Sequence, residues 1–420
     1  MIKKIIAGLC LILSTTAFSQ DNNASPYSYY GIGDVKFKGT VENRSMGGLS
    51  ILPDSIHVNL QNPAMYNSLL LTTYTVGVSN KSVNFKSDSG NDSAGRVTFD
   101  YLAVALPFKK IGVSFGLMPY TSVGYRIQND VTRDNVEYHR EFEGSGGINR
   151  AFAGVAYKIT PKLSLGANLN YNFGNIQTKS IVGATGGIIQ YPTRELNDAH
   201  YGGLSFNFGA NYQTKISEKL DWVTSATFTP ESTLNSTTER NFATVLVSSS
   251  GGETIVDQID SGKVDNDTKM PSMFTFGTGV GQIRKWFAGI EYTTQSSNAF
   301  GSRFNSVTAA SFKSSQKINL GGYYIPNYNS FNSYLSRVTY RGGLRYEKTG
   351  LEVNNQSIDD MALTLGMGLP LGGYMGSNIN IGLELGRRGT TKANLVQENY
   401  VNVMISLSLN DRWFIKRKYD

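Results

Sequence analysis

Few residues in this chain are spaced for chemistry. Its three histidines, His57, His139 and His200, stand far apart in sequence and share no metal-ligand spacing. No G-x-S-x-G elbow occurs, so no serine is marked as an activated nucleophile. The glycine run GTGVG at 277–281 sits in a strand-like stretch, without the following helix that a phosphate-binding loop needs. Asp88 with Asp92, and Asp265 with Asp267, bring carboxylates close enough in sequence to touch calcium, but neither pair has the full EF-hand spacing. Solvated loops are the plainer reading of both. The single cysteine, Cys10, lies in an N-terminal apolar run that is expected to be removed, so neither disulfides nor thiolate chemistry is expected. These observations argue against an enzyme and point to no catalytic residue, metal or cofactor. One charged set remains. In VTYRGGLRYE (338–347), Arg341, Arg345 and Glu347 fall with Thr339 on one side of an alternating segment, and Val338, Tyr340 and Leu344 on the other. Charges so placed line a polar interior, where they would clamp another segment or meet a ligand carboxylate.

The elements that would carry such an interior recur along the chain. LSLGANLNYNFG (163–174) alternates Leu163, Leu165, Ala167, Leu169, Tyr171 and Phe173 with Ser, Gly and Asn. LSFNFGANYQ (204–213), NINIGLELG (378–386) and VNVMISLSL (401–409) repeat the pattern. A strand turns successive side chains to opposite faces, so each segment has one apolar and one small, polar face. Segments of about ten residues patterned this way mark a transmembrane β-barrel, apolar outside and polar inside. The connections alternate too. Phe108-Lys109-Lys110, Thr160-Pro161-Lys162, Ser217-Glu218-Lys219 and Ile283-Arg284-Lys285 read as short turns. Between them the stretches 86–95, 128–143, 181–199, 231–268, 297–312, 349–357 and 389–396 read as long polar loops. Threading strands through these connections predicts an all-β, closed antiparallel transmembrane β-barrel of about fourteen strands. A secreted sandwich or propeller fits less well, because its outer faces need not be uniformly apolar.

The composition agrees, with 45 Gly, 24 Tyr and 21 Phe but only 17% charged residues, and no linker marks a domain boundary. The net charge of +7 is scattered, without the basic stripe of a nucleic-acid binder. Lys3 and Lys4, the apolar run to Leu13 and Ala17-Phe18-Ser19 read as a signal peptide over 1–19, too short in its apolar part to span a bilayer. The expected location is the outer membrane of a Gram-negative-type bacterium, with both termini periplasmic and lipid as the surrounding partner. A barrel of this size is too wide for its own side chains to fill. Residues 20–68, rich in Gly, Pro and Tyr and without alternation, are therefore expected to form an N-terminal luminal hatch ahead of a barrel over 69–414. Trp413 and Phe414 suit the interfacial girdle, and 415–420 is expected to be a basic periplasmic tail.

Several short motifs in order give the chain a family resemblance. NRSMGG (43–48) with Arg44, Gly47 and Gly48, then Asn62-Pro63-Ala64, GSGGIN (144–149) and the closing NDRWFIKRKYD (410–420) resemble the FadL-type outer-membrane barrels and the related shuttle barrel of type IX secretion. The resemblance covers essentially the whole mature chain. It implies fourteen strands, an N-terminal hatch and, for the transporters, cargo such as a fatty acid. Pro119, in the middle of the third strand, cannot donate a ladder hydrogen bond and should break pairing locally. In FadL-type transporters a kink in that strand opens a side window, and Met118, Pro119 and Tyr120 are similar in position. A simple bulge is the alternative. Two functions follow: passive uptake of hydrophobic small molecules through the lumen and window, or a plugged partner barrel within a larger outer-membrane complex for type IX secretion or outer-membrane protein assembly.

Overall fold

The structure, a computed structural model, describes residues 23–185, 191–248, 252–296, 310–371 and 376–413. The signal-like run, the basic tail and most of the expected loop at 297–312 lie outside these residues. The chain forms β1 (Thr72–Ser87), β2 (Gly90–Phe108), β3 (Ile111–Arg133), β4 (Val136–Lys158), β5 (Leu163–Thr185) and β6 (Thr193–Lys215). Next comes β7, in two pieces, Asp221–Thr229 and Ser232–Val247, and then β8, as Glu253–Met270 and Met273–Gln282. The breaks fall at Pro230 and Pro271, which have no N–H to give a neighbouring strand. The wall continues through β9 (Trp286–Gln295), β10 (Ala310–Phe312 and Ser315–Tyr324), β11 (Thr339–Val353), β12 (Gln356–Pro370), β13 (Asn378–Arg388) and β14 (Gln397–Asp411). Each strand pairs antiparallel with its neighbours, and β14 closes on β1 from Gln397↔Lys86 to Asp411↔Thr72. The result is a closed antiparallel barrel of fourteen strands.

Alternation governs which way each side chain points. On β5, Leu165 and Tyr171 are 43% and 51% exposed, whereas Asn168 and Asn172 are 4% and 0% exposed. The exposed set is the lipid-facing band, and the amides face the lumen. Strands β3 to β6 each run 23 residues, about twice the 9–11 needed to cross a bilayer. The surplus projects as tall hairpins. Hence 86–95, 128–143, 231–268 and 349–357 are mostly strand and not the loops expected from sequence. Outside the membrane neither face must be apolar, so alternation fades there while pairing continues. The two-residue turns Asp134-Asn135 (φ 53° and 59°) and Asn354-Asn355 (φ 51° and 60°) hold two of these hairpins with residues that tolerate left-handed backbone.

Residues 23–71 lie inside the wall. They fold into single turns of helix at Pro26–Tyr29, Val41–Arg44 and Pro63–Ser68, joined by irregular chain and the short strand Asp34–Val35. Ser25 and Asn62 cap two of these turns, each followed by Pro at the first position. Val41, Leu60 and Tyr66 pack with Tyr101, Met118 and Phe152 of the wall in a buried cluster. The wall begins at Thr72 and not at 69. Val338, expected to face lipid, is 1% exposed; it precedes β11 and belongs to a capped turn.

Candidate functional site

The wall parts beside its third strand. β2 and β3 pair only from Leu102↔Leu117 to Phe108↔Ile111. Beyond that, β2 continues beside β1 alone and β3 beside β4 alone. Pro119 stands at the start of the parting. Opposite β4, Pro119 faces Asn149 and Thr121 faces Ile148, so Tyr120 is an extra, bulged residue. Met118 and Tyr120 are buried on the inner side.

The N-terminal segment fills the place of the missing neighbour. Asp34 and Val35 pair antiparallel with Ser122 and Thr121. The Lys36 N–H donates to the Tyr120 carbonyl at 2.9 Å, the Asn23 amide to the Ser122 carbonyl at 3.2 Å, and the Gly124 N–H to Ser28 Oγ at 3.1 Å. From the other lip, Arg96 Nε donates to the Asn23 carbonyl at 3.3 Å. An unpaired edge in a membrane wall would leave buried amides without partners, and these bonds supply them.

Two different surfaces hold the rest of the segment. On β3, β5 and β6 the seat is glycine. A Cβ on Gly112 would lie 2.2 Å from the Tyr66 carbonyl carbon, on Gly166 2.5 Å from that of Pro63, and on Gly209 2.2 Å from Asn62 Oδ1. The Asn62-Pro63-Ala64 turn therefore rests directly on wall backbone, and Asn62 also donates to the Ala210 carbonyl at 3.4 Å. The small luminal residues of these strands leave the room this turn occupies. Gly47 and Gly48, at φ 71° and 92°, turn the chain against β10 and β11, and the Gly47 N–H donates to Thr364 Oγ1 at 2.9 Å.

On β11 to β14 close contact is joined by charge: a Cβ on Gly343 would lie 2.2 Å from the Gly47 nitrogen and one on Gly366 2.4 Å from Ser45 Oγ. Glu384 receives Arg44 from the segment at 2.6 Å and Arg345 from β11 at 2.9 Å. Arg345 also meets Asp360 at 3.0 Å and the Tyr400 hydroxyl at 2.8 Å. Nearby, Arg388 pairs with Asp34 at 2.9 Å, and Ser25 Oγ donates to Glu398. Arg341 reaches the segment at one remove, donating to Asn380 at 3.0 Å, which in turn donates to Glu42 at 2.5 Å. Glu347 lines the remaining space opposite Lys317 of β10. Arg44 and Arg345 thus converge on one carboxylate, whereas Arg341 and Glu347 stand apart from it.

A cavity of about 320 Å³ remains between segment and wall. Ten Lys and Arg residues line it against five Asp and Glu, interspersed with Val35, Phe37, Leu60, Met118, Pro119 and Phe152. The Arg150 guanidinium lies 4.1 Å from the Tyr120 ring centre and Lys38 Nζ 5.1 Å from it. Burial, with Lys81 next, pulls the Lys36 ammonium down to about 8. Burial, followed by Arg150 and Lys317, pulls Lys38 well below the lysine range. Sequence reasoning passed over Lys38, Arg150, Lys317, Asp34 and Arg388. Glu384 was visible on the polar face of NINIGLELG, but nothing in the sequence pairs it with Arg44, 340 residues away.

Fourteen strands closed around a luminal N-terminal segment, with a parting beside the third strand, define a barrel with the FadL-type fold. Solved structures with this fold include the Ralstonia pickettii toluene transporter TbuX (TM-score 0.58, 13% identity, 89% of this chain and 99% of that one). A Pseudomonas aeruginosa FadL homologue is similar at TM-score 0.57 and 10% identity, over 91% and 99%. The P. putida toluene transporter TodX follows at 0.56 and 14%, over 90% and 100%. A search of the curated proteins gave no match. Within this class the chain belongs to the BamG family, whose model matches residues 1–420.

Proposed function

We propose that the chain is a passive outer-membrane channel for a hydrophobic compound bearing an anionic head, with residues 23–71 as a hatch and the β2–β3 parting as a side window. One observation carries this reading: a cavity with both apolar and cationic lining includes Met118 and Pro119 in its wall, where the pairing of β2 with β3 stops. Arg150 and Lys317 suit a carboxylate, whose charge would also favour the protonated form of Lys38, and Phe37, Met118 and Phe152 suit an alkyl or aromatic body. Arg44, Arg345 and Glu384 act as the latch, Asn62-Pro63-Ala64 as the seat, and Gly47-Gly48 as the bend between them. The termini face the periplasm, so cargo enters from the tall hairpins and leaves sideways into the bilayer. The related TodX and TbuX are named as toluene transporters; the cationic lining here favours an acid over a neutral arene.

A second reading, a closed partner barrel in a larger outer-membrane complex, is favoured by the density of bonds that stopper the parting. The deciding experiment reconstitutes the purified chain in vesicles and follows entry of a fluorescent fatty acid. Uptake above that of empty vesicles, lost on Arg150→Gln with Lys317→Gln, supports the channel. No uptake, with stoichiometric proteins retained when the chain is purified from its own membrane, supports the partner.

A further inference from the structure

The two ends of the barrel differ in how their cations are satisfied. At the tall-hairpin end many are paired, among them Arg126 with Glu141 at 2.8 Å, Lys179 with Glu253 at 2.9 Å, and Arg240 with Glu195 at 2.6 Å. The end that carries Trp413 is different. Its turns at 109–110, 159–162, 216–220 and 283–285 contain Lys109, Lys110, Lys162, Lys219, Arg284 and Lys285 but a single carboxylate, Glu218. All six cations are exposed, and among the described residues none of them forms an ion pair. Lys109 and Arg284 adopt left-handed backbone (φ 50° and 60°), which keeps each turn tight and sets its two cations side by side.

Every one of these turns also projects an aliphatic or aromatic side chain. Phe108, Ile159, Ile216 and Ile283 are 41%, 47%, 60% and 60% exposed. They continue the outward apolar rows of the strands that they terminate, beyond Trp222 and Ile111. We infer that this rim is a binding collar for anionic phospholipid, the apolar residues entering the acyl boundary and the lysines and arginines meeting the phosphates. The arrangement recurs at four successive turns, between β2 and β3, β4 and β5, β6 and β7, and β8 and β9. It therefore runs round more than half the circumference. A lipid layer contacts all of that perimeter, whereas a protein partner would cover one side of it. Lysine and arginine at a bilayer surface attract anionic lipid individually, and their contributions accumulate.

The test is native mass spectrometry of the full chain released from mixed micelles holding equal phosphatidylglycerol and phosphatidylcholine. Retained lipid is expected to be mainly phosphatidylglycerol. Changing Lys109→Gln, Lys110→Gln, Arg284→Gln and Lys285→Gln together is expected to cut that preference by about fivefold or more. Changing Lys179→Gln and Arg240→Gln at the opposite end should leave it unchanged. Raising salt on the unmodified chain supplies an independent reading and should abolish the preference. Equal retention of the two lipids, a preference that survives the fourfold change or high salt, or an acidic protein occupying the rim in material from its own membrane would overturn the collar.

Discussion

The two walls that grip the N-terminal segment both press glycine on it, and they differ in charge. Over β3 to β6 the contact is steric: the Asn62-Pro63-Ala64 turn lies on glycine backbone with no room for a methyl. Over β11 to β14 Gly343 and Gly366 also press on the segment, and an ionic set is added, in which Arg44, Arg345, Asp360 and Glu384 are connected. A close-packed contact is short-ranged and has no substitute partner. An ion pair beside a cavity can exchange one anion for another, such as a ligand head group. On the proposed channel reading, the ionic pairs are the contact that can let go, and the glycine seat of Asn62-Pro63-Ala64 is the hinge.

The broadest way to break this comparison is to remove the segment. Deleting residues 23–71 should turn a tight barrel into an open pore, because fourteen strands enclose more space than their own side chains fill. Planar-bilayer conductance would measure it, and a deletion that folds yet stays tight would refute the stopper. Next, Glu384→Gln removes a buried charge from two half-buried arginines and should cost about 3 kcal/mol. Its leak should grow with salt, as the remaining pairs are screened. Gly209→Val should cost about 2 kcal/mol through overpacking. Any leak it causes should be indifferent to salt, since no charge is involved. If both variants respond to salt alike, the division into latch and hinge is wrong.

Two finer predictions concern the cavity. Pro119→Val restores a donor and a strand-forming residue at the parting, and fatty-acid uptake should slow several-fold with the barrel intact. Unchanged uptake would mean that the bulge is not a passage. The smallest effect is on pH. Lys36 faces Lys81, Asp34, Asp100 and Arg44 and is held at about 8 by burial first and Lys81 second. It carries its proton below that value, so affinity for an acid should fall as pH rises through 8. Titrating fatty-acid affinity between pH 7 and pH 9 checks the sign.

The barrel was legible in the sequence because the membrane imposes a rule on every second residue. From Leu163 to Phe173 the alternation alone gives strand, face and environment. Where the membrane stops imposing it, as at 128–143 and 231–268, strands looked like loops. The N-terminal segment was recognisable by its lack of period and by Asn62-Pro63, yet its grip was not. Glu384 and Arg44 are partners only because the wall curves round to bring β13 beside the segment, and no local pattern encodes that. Arg150 and Lys317 stood on inward positions all along. Their convergence with Lys38 depends on where an irregular chain comes to rest, which periodicity does not describe.

The seam between β1 and β14 sets an order of events during biogenesis. Its fifteen registered residue pairs join positions more than three hundred apart in the chain, with Thr72 meeting Asp411, and contacts of such separation form late. The segment ahead of Thr72 is enclosed on all sides once that seam zips. The faster route lays it against the growing sheet before closure, with the glycines of β3, β5 and β6 available as its first resting place and the carboxylates of β12 and β13 arriving afterwards. A barrel that closed first would face the slower task of threading a folded peptide through its own mouth.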